Sequence, residues 1–372
     1  MKSPIKALVC TILAASFFPQ LSAQQQQAPE KDVESLRKAA LEIDKHIAAF
    51  YRRQKLPVPA VTDDATFLRR ASLVAIGRIP TAEEALAFLE IEDDSKREEL
   101  VAYLMQGPGY SSHMSNWAFD LLRIRDKKSQ SSFDPYRDWI RQAMKDNMPW
   151  DEFVNQLVKS SGNGWNPETA AVGYYTIDRG MPLDNLANTM RIFLGSNMEC
   201  AQCHDDPFEE TERLDFYNLA AFTEGQSPKN IDAFSKVYRE FSRDREEDSQ
   251  SFQVVNFIRN EIYWLSLEGG GDGRIKLPDD YQYRDGKPGE YVGGRTPFGK
   301  SLRTSDRKHD GEARKQFAEW ITKETGPQFP GVIANRMWER VMGKGIYEPV
   351  DQYTEAADTV YPDLMKYVTK LM

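Results

Sequence analysis

The residues with the clearest chemical potential are Cys200, Ala201, Gln202, Cys203 and His204, a C-x-x-C-H run. This spacing attaches a c-type haem. Each thiol forms a thioether to a haem vinyl group, and the adjacent histidine binds the iron from the proximal side. The same residues allow two other chemistries. Two thiolates and an imidazole, completed by Asp205, Asp206 or Asp215, would make a tetrahedral zinc site, although structural zinc sites more often add a second C-x-x-C or His pair that this chain lacks. Cys200 and Cys203 also have the spacing of a reversible dithiol–disulfide pair. That role is favoured at a helix N-terminus, whereas these cysteines follow a helix end.

A haem at this position raises the question of its sixth ligand. Met198, two residues before Cys200, is badly placed to reach the opposite face. His113, His309, Met181 and Met190 remain as candidates, each equally readable as a surface or packing residue. His46 falls among charged residues on the first helix and reads as solvated. Catalysis by Ser, His and Asp has little support. No G-x-S-x-G elbow occurs, and of the 4 histidines one belongs to the motif. An electron carrier or binding protein fits better than a hydrolase.

The N-terminus indicates the compartment. Lys2 and Lys6 precede an apolar run, Ala7 to Phe18, too short to span a bilayer, and Leu21-Ser22-Ala23 ends in a residue suited to signal peptidase. The sequence therefore predicts a signal peptide over residues 1–23, cleaved after Ala23, and a periplasmic or cell-surface product. Cys10 is lost with the signal. Both remaining cysteines belong to one motif, so no disulfide framework supports the fold. No later segment has the length of a transmembrane helix. The formal charge of −9, which becomes more negative without Lys2 and Lys6, disfavours nucleic acid as a partner and leaves unidentified redox proteins.

Helical patterning positions the motif. Residues 24–32, with their glutamine run, read as a disordered leader. Residues 33–225 read as one helical domain. Leu36, Ala40, Ile43, Ile47 and Phe50 form a stripe on a helix closed by Pro57. Thr81 with Glu84 and Ser95 with Glu98 are capping-box pairs, Gly77 and Gly107 are stops, and Asp134-Pro135 reads as an N-cap and first helical residue. Trp117, Trp139, Trp150 and Trp165 read as core. The helix Asp184 to Leu194, stopped by Gly195, delivers the motif. Pro207 and Phe208 then turn the chain into an aromatic-rich helix from Asp215 to Phe222.

Residues 226–297 read as a charged linker and a small β module. Its strands are expected in Gln253–Phe257, Glu261–Leu267 and Arg274–Leu277, and Gly269–Gly273 serves as a hairpin connection rather than a phosphate loop. Residues 298–372 return to helices at Ala313–Thr322, Val332–Met342 and Asp363–Leu371.

The order Phe67-Leu68-Arg69-Arg70, Gly77-x-x-Pro80-Thr81-x-Glu83-Glu84, Tyr136-Arg137-Asp138-Trp139, Cys200-x-x-Cys203-His204-Asp205-x-Pro207-Phe208 and Asp215-Phe216-Tyr217 resembles planctomycete-type exported cytochrome c-like proteins, whose main region is the domain of unknown function 1549. Lys276-Leu277-Pro278-x-Asp280-Tyr281 and Asn335-Arg336-x-Trp338-x-Arg340-x-x-Gly343-x-Gly345-x-x-x-Pro349-Val350-Asp351 resemble the joining segment and the opening of the domain numbered 1553. The resemblance implies export and, with the motif, haem. Two departures stand out: Asp206 replaces a histidine common in such proteins, and the 1553-type domain reads as truncated. The expectation is thus a mainly α protein, a multi-helix domain carrying a C-x-x-C-H loop, followed by a β-hairpin module and a short helical C-terminal domain. Cys200 and Cys203 would hold haem c, His204 would ligate its iron, and zinc is the alternative cofactor.

Overall fold

The computed structural model describes residues 30–372 apart from 126, 129–130, 179–180, 208–210, 225–235, 237–238, 241–249, 268, 270 and 307–311. The signal-peptide reading, most of the leader, Phe208 and His309 therefore lie outside the described residues. The fold is mainly helical. In chain order the helices are α1 (Glu30–Arg53), α2 (Asp64–Ile76), α3 (Ala82–Leu89), α4 (Lys96–Gln106), α5 (Pro108–Leu121), α6 (Asp134–Lys145), α7 (Trp150–Lys159), α8 (Gly173–Thr176), α9 (Pro182–Leu194), α10 (Arg213–Thr223), α11 (Gln250–Trp264), α12 (Ala313–Lys323), α13 (Gln328–Met342) and α14 (Pro362–Leu371). Among the described residues, no helix is long and apolar enough to cross a membrane.

The chain divides into two compact units, one extending through His113 and including Ala356–Leu371, the other Met114–Glu355. In the first, α2 packs on α3 and α4, and α1 on α14. The predicted stripe of α1 includes Phe50, whose ring lies 4.1 Å from that of Tyr361, the residue immediately before α14. His46 is not fully solvated: its ring lies 5.4 Å from that of Tyr367. Gly77 ends α2 at φ +71° with its N–H on the Leu73 carbonyl, which only a residue without Cβ adopts at little cost. Thr81 and Glu84 form the predicted capping box. Ser95 does not. Its hydroxyl is engaged by the carboxylates of Asp93 and Glu99, and Glu98 pairs with Arg37 at 2.6 Å.

Glu84 also binds Arg78 through two contacts of 2.8 and 2.7 Å. The Arg78 hydrogen bond, helped by the Thr81 N–H, holds the Glu84 carboxyl at about 2. A folded-state value below the unfolded one stabilises above the ordinary glutamate range and is lost as pH falls through the folded value. Acid titration of stability should therefore show a Glu84-dependent decline between about pH 4.5 and 2, absent in Glu84→Gln and worth about 1 kcal/mol for a pair this near solvent. Urea denaturation of both proteins across that range checks it.

The second unit contains a continuous apolar core. The apolar face of α7 (Phe153, Val154, Leu157 and Val158, all fully buried) packs on α12, whose Phe317, Ala318 and Ile321 are equally buried. Phe317 stacks on Phe222 of α10 at 5.5 Å and on Trp320 at 5.8 Å. Trp117, Trp139 and Trp150 pack at the core margin as expected. Trp165 does not, being 39 % exposed. Helix α6 begins one residue earlier than read: Phe133 is its N-cap and Asp134 is already helical.

The β module is smaller than the sequence pattern suggests. Arg274–Lys276 pairs antiparallel with Tyr291–Gly293, and Ser266–Leu267 pairs with Gly162–Asn163. Gln253–Phe257 and Glu261–Trp264, read as strand-forming, lie instead in α11. Their β-branched and aromatic residues carry only a weak propensity, which context overrides. Gly271 holds φ +88°, and a Cβ there would lie 2.2 Å from the Phe222 carbonyl oxygen. The glycine run thus lets a loop press against the end of α10, and a strand follows it, not the helix of a phosphate loop.

The Asn335–Asp351 motif resolves into a bracket. Asn335, fully buried, accepts the N–H groups of Ile346 and Tyr347 and donates to the Tyr347 carbonyl. A Cβ on Gly345 would come within 2.5 Å of that carbonyl. Arg336 binds one oxygen of Asp351 at 3.1 Å and Arg191 of α9 binds the other at 2.8 Å.

Candidate functional site

Helix α9 ends at Gly195, φ +59°, whose N–H and that of Ser196 return to the Arg191 and Met190 carbonyls. Side chain and backbone from the C-terminal segment complete this end: Gln328 donates to the Leu194 carbonyl at 2.7 Å and the Tyr353 N–H to the Gly195 carbonyl at 2.8 Å. The chain then buries Met198, and a 3₁₀ turn runs over Cys200–Gln202. The N–H groups of Cys203 and His204 both bond to the Cys200 carbonyl, at 3.1 and 3.2 Å. The turn thus places the two cysteines at its two ends, three residues apart. Both cysteines are free; Cys200 is half-buried and Cys203 exposed, while Ala201 between them is buried.

His204 is exposed, and its Nδ1 lies 2.8 Å from the Asp205 carbonyl oxygen. In the tautomer with its proton on Nδ1, the ring donates there and keeps the Nε2 lone pair for a metal. A backbone carbonyl orients iron- and zinc-binding histidines in this way. Asp205 is itself fixed, its N–H on the Tyr283 hydroxyl at 2.9 Å and its carboxylate on the Arg213 N–H at 2.8 Å.

Arg213, at the start of α10 and 4 % exposed, underpins the turn. Its Nε reaches the Gln202 carbonyl at 3.3 Å and its Nη2 reaches Asp280 at 2.9 Å. The guanidinium lies over the rings of Tyr217 at 5.7 Å and Tyr281 at 5.3 Å, a cation–π arrangement. Burial opposes its charge, but hydrogen bonds to Asp280 and Tyr217 outweigh that and raise its pKa. The Tyr217 hydroxyl donates to the Gln202 carbonyl at 3.3 Å, and burial pushes this phenol up. The Gln202 amide reaches Asp184, in the first turn of α9, at 3.3 Å. Arg213 was not distinguished by spacing in the sequence. The Lys276–Tyr281 run was, and its Asp280 and Tyr281 now have a role in holding that arginine.

The predicted sixth ligands separate clearly. Met190 is fully buried in the core. His113 belongs to the first unit, where its ring lies against Gly77, so that a Cβ there would be 2.6 Å from Nδ1. Met181 is 54 % exposed immediately before α9. His309 lies outside the described residues. Among those described, no three His, Cys, Asp or Glu side chains converge to hold a metal ion.

Residues 42–227 match the family described as protein of unknown function DUF1549, with the short name PSCyt2. The chain belongs to this family. Residues 313–371 match a second family, PSD1, described as protein of unknown function DUF1553. The PSCyt2 name is cytochrome-like, while its description assigns no activity. No curated protein and no solved structure matches the chain. The PSCyt2 match contains the C-x-x-C-H turn together with α9 and α10, and the PSD1 match contains α12 and α13, which complete the core around them.

Proposed function

We propose that this PSCyt2 protein is an exported c-type haem-binding protein that transfers electrons. One observation carries the reading: two free thiols three residues apart at the two ends of a 3₁₀ turn, beside an exposed histidine whose Nδ1 meets a backbone carbonyl. The attachment residues fit the group. Each thiol adds across one vinyl double bond, sulfur to one carbon and hydrogen to the other, so nothing leaves and nothing is oxidised. Cys200 and Cys203 are the attachment points and His204 the proximal ligand. Haem supplies a one-electron iron couple when bound, tuned by the ligands and their hydrogen bonds.

The surrounding residues orient this set. The Asp205 carbonyl fixes the imidazole tautomer, and Arg213 with Tyr217 anchors the Gln202 carbonyl between the two cysteines. Acidic overall charge suits a basic redox partner. The test is a pyridine haemochrome spectrum of protein exported from a host with c-haem maturation machinery, beside a Cys200→Ala, Cys203→Ala double variant. The expected result is a c-type α-band that resists acid–acetone extraction in the wild type and is lost in the variant. Absence of haem from both overturns the cytochrome reading, and metal and thiol analysis of the same samples then separates a zinc site from a dithiol.

A further inference from the structure

A cavity of about 410 Å³ lies in the second unit, between the loop 298–300, the connection 324–328 from α12 to α13, and residues 353–355. That is within the range of about 300–1,000 Å³ typical of small-molecule sites. Its walls are preformed. The Lys300 N–H bonds to the Glu324 carbonyl at 2.8 Å, and the Lys300 ammonium to the Glu324 carboxylate, also at 2.8 Å. Phe298 is seated on Trp320 with ring centroids 5.2 Å apart. Gln328 and Tyr353 are held by their bonds to the Leu194 and Gly195 carbonyls at the end of α9.

Most polar groups of this lining are already engaged. Lys300 and Glu324 satisfy each other, the Thr325 hydroxyl donates to the Ile321 carbonyl at 3.0 Å, and the Gln328 amide nitrogen donates to Leu194. Among the described residues, Tyr353 and Glu355 are the lining side chains whose polar ends have no such partner. They lie within reach of each other: burial, and then the Glu355 charge, push the Tyr353 phenol up to about 12. We propose that the cleft binds a protonated primary amine on an alkyl stem, its ammonium between Glu355 and the Tyr353 hydroxyl and its methylenes along Phe298 and Pro327. An ammonium only donates, which matches a carboxylate and a phenol oxygen that both accept. The lining sets two carboxylates, Glu324 and Glu355, against the one ammonium of Lys300, which disfavours an anion although α13 begins in the wall. A lysine side chain of a partner protein and a free alkyl diamine share this chemistry.

The proposal does not depend on haem, so the test uses the full chain with or without it. Backbone amide NMR follows titration with cadaverine, with a capped Gly-Gly-Lys-Gly-Gly peptide, with the norleucine counterpart of that peptide and with inorganic phosphate. We expect both amines to give saturable shifts at 298–300 and 353–355, and neither control to do so. A peptide that binds more tightly than the diamine identifies a partner's lysine as the source, and the reverse order a free amine. Glu355→Gln changes an exposed carboxylate, so it should leave the fold intact and weaken the amine at least about tenfold. Tyr353→Phe should weaken it about threefold. Lys300→Gln frees Glu324 and should tighten the amine, where an anion site would weaken. Amines that leave these residues unshifted, or binding that Glu355→Gln leaves unchanged, overturn the site. Phosphate binding abolished by Lys300→Gln, or equal binding of the norleucine peptide, overturns its assignment to an amine.

Discussion

Arg213→Ala is expected to lower unfolding free energy by about 3 kcal/mol and to free the Cys200–His204 turn, because it removes several coupled contacts at once. The guanidinium is nearly buried between Tyr217 and Tyr281, bonds to the Gln202 carbonyl and pairs with Asp280. Truncation leaves a gap between two rings and an unpaired carboxylate. The Gln202 carbonyl keeps only its Tyr217 partner. Lysine restores charge without the planar fork that stacks and bonds in two directions, so Arg213→Lys should recover less than half of the loss. Urea denaturation gives the energy. Amide exchange at Ala201–His204 should accelerate more than at distant residues such as Val154, and labelling of the half-buried Cys200 in the haem-free protein should quicken with it. A stability loss without faster exchange at the turn would show that Arg213 supports the core but not the motif.

Much of the scaffold was legible because its signals are local. The Thr81–Glu84 capping box, the left-handed stops at Gly77 and Gly195, and the helices on either side of the motif depend on neighbours within a few residues. The C-x-x-C-H run, placed just past a helix end, was legible for the same reason. Local signals also misled where two partners competed. The Ser95 hydroxyl had Asp93 and Glu99 in reach, so the Glu98 pattern was not used. In Gln250–Trp264, β-branched residues counted for less than a continuous helix. The support of the motif was the least legible part. Arg213 meets Asp280 across 67 residues, and Arg191 meets Asp351 across 160, and no spacing rule links such pairs before the fold does. Asp280 and Asp351 could be noted as parts of motifs, but their charge partners could not.

Phe317→Ala is expected to cost about 4 kcal/mol, the upper range for a buried phenylalanine, and to weaken the PSCyt2 region although Phe317 lies in the PSD1 match. The ring is fully buried, stacks on Phe222 in a nearly parallel 5.5 Å contact, and abuts Trp320. Phe222 lies on α10, which begins with Arg213, so the cavity opens at one end of the helix that anchors the Cys200–His204 turn at the other. Because α12 packs along α7 and α10, the two family matches contribute to one core and should unfold together. Calorimetry of the haem-free protein should therefore show one transition for Met114–Glu355, shifted down in Phe317→Ala, with the Cys200 labelling rate rising at the same temperature. A variant in which the α12 region melts early while the half-buried Cys200 stays protected would show two separable cores. Phe317→Leu, which refills much of the volume, should recover over half of the loss. The turn that presents the thiols thus depends on apolar packing from the PSD1 segment as well as on hydrogen bonds within its own.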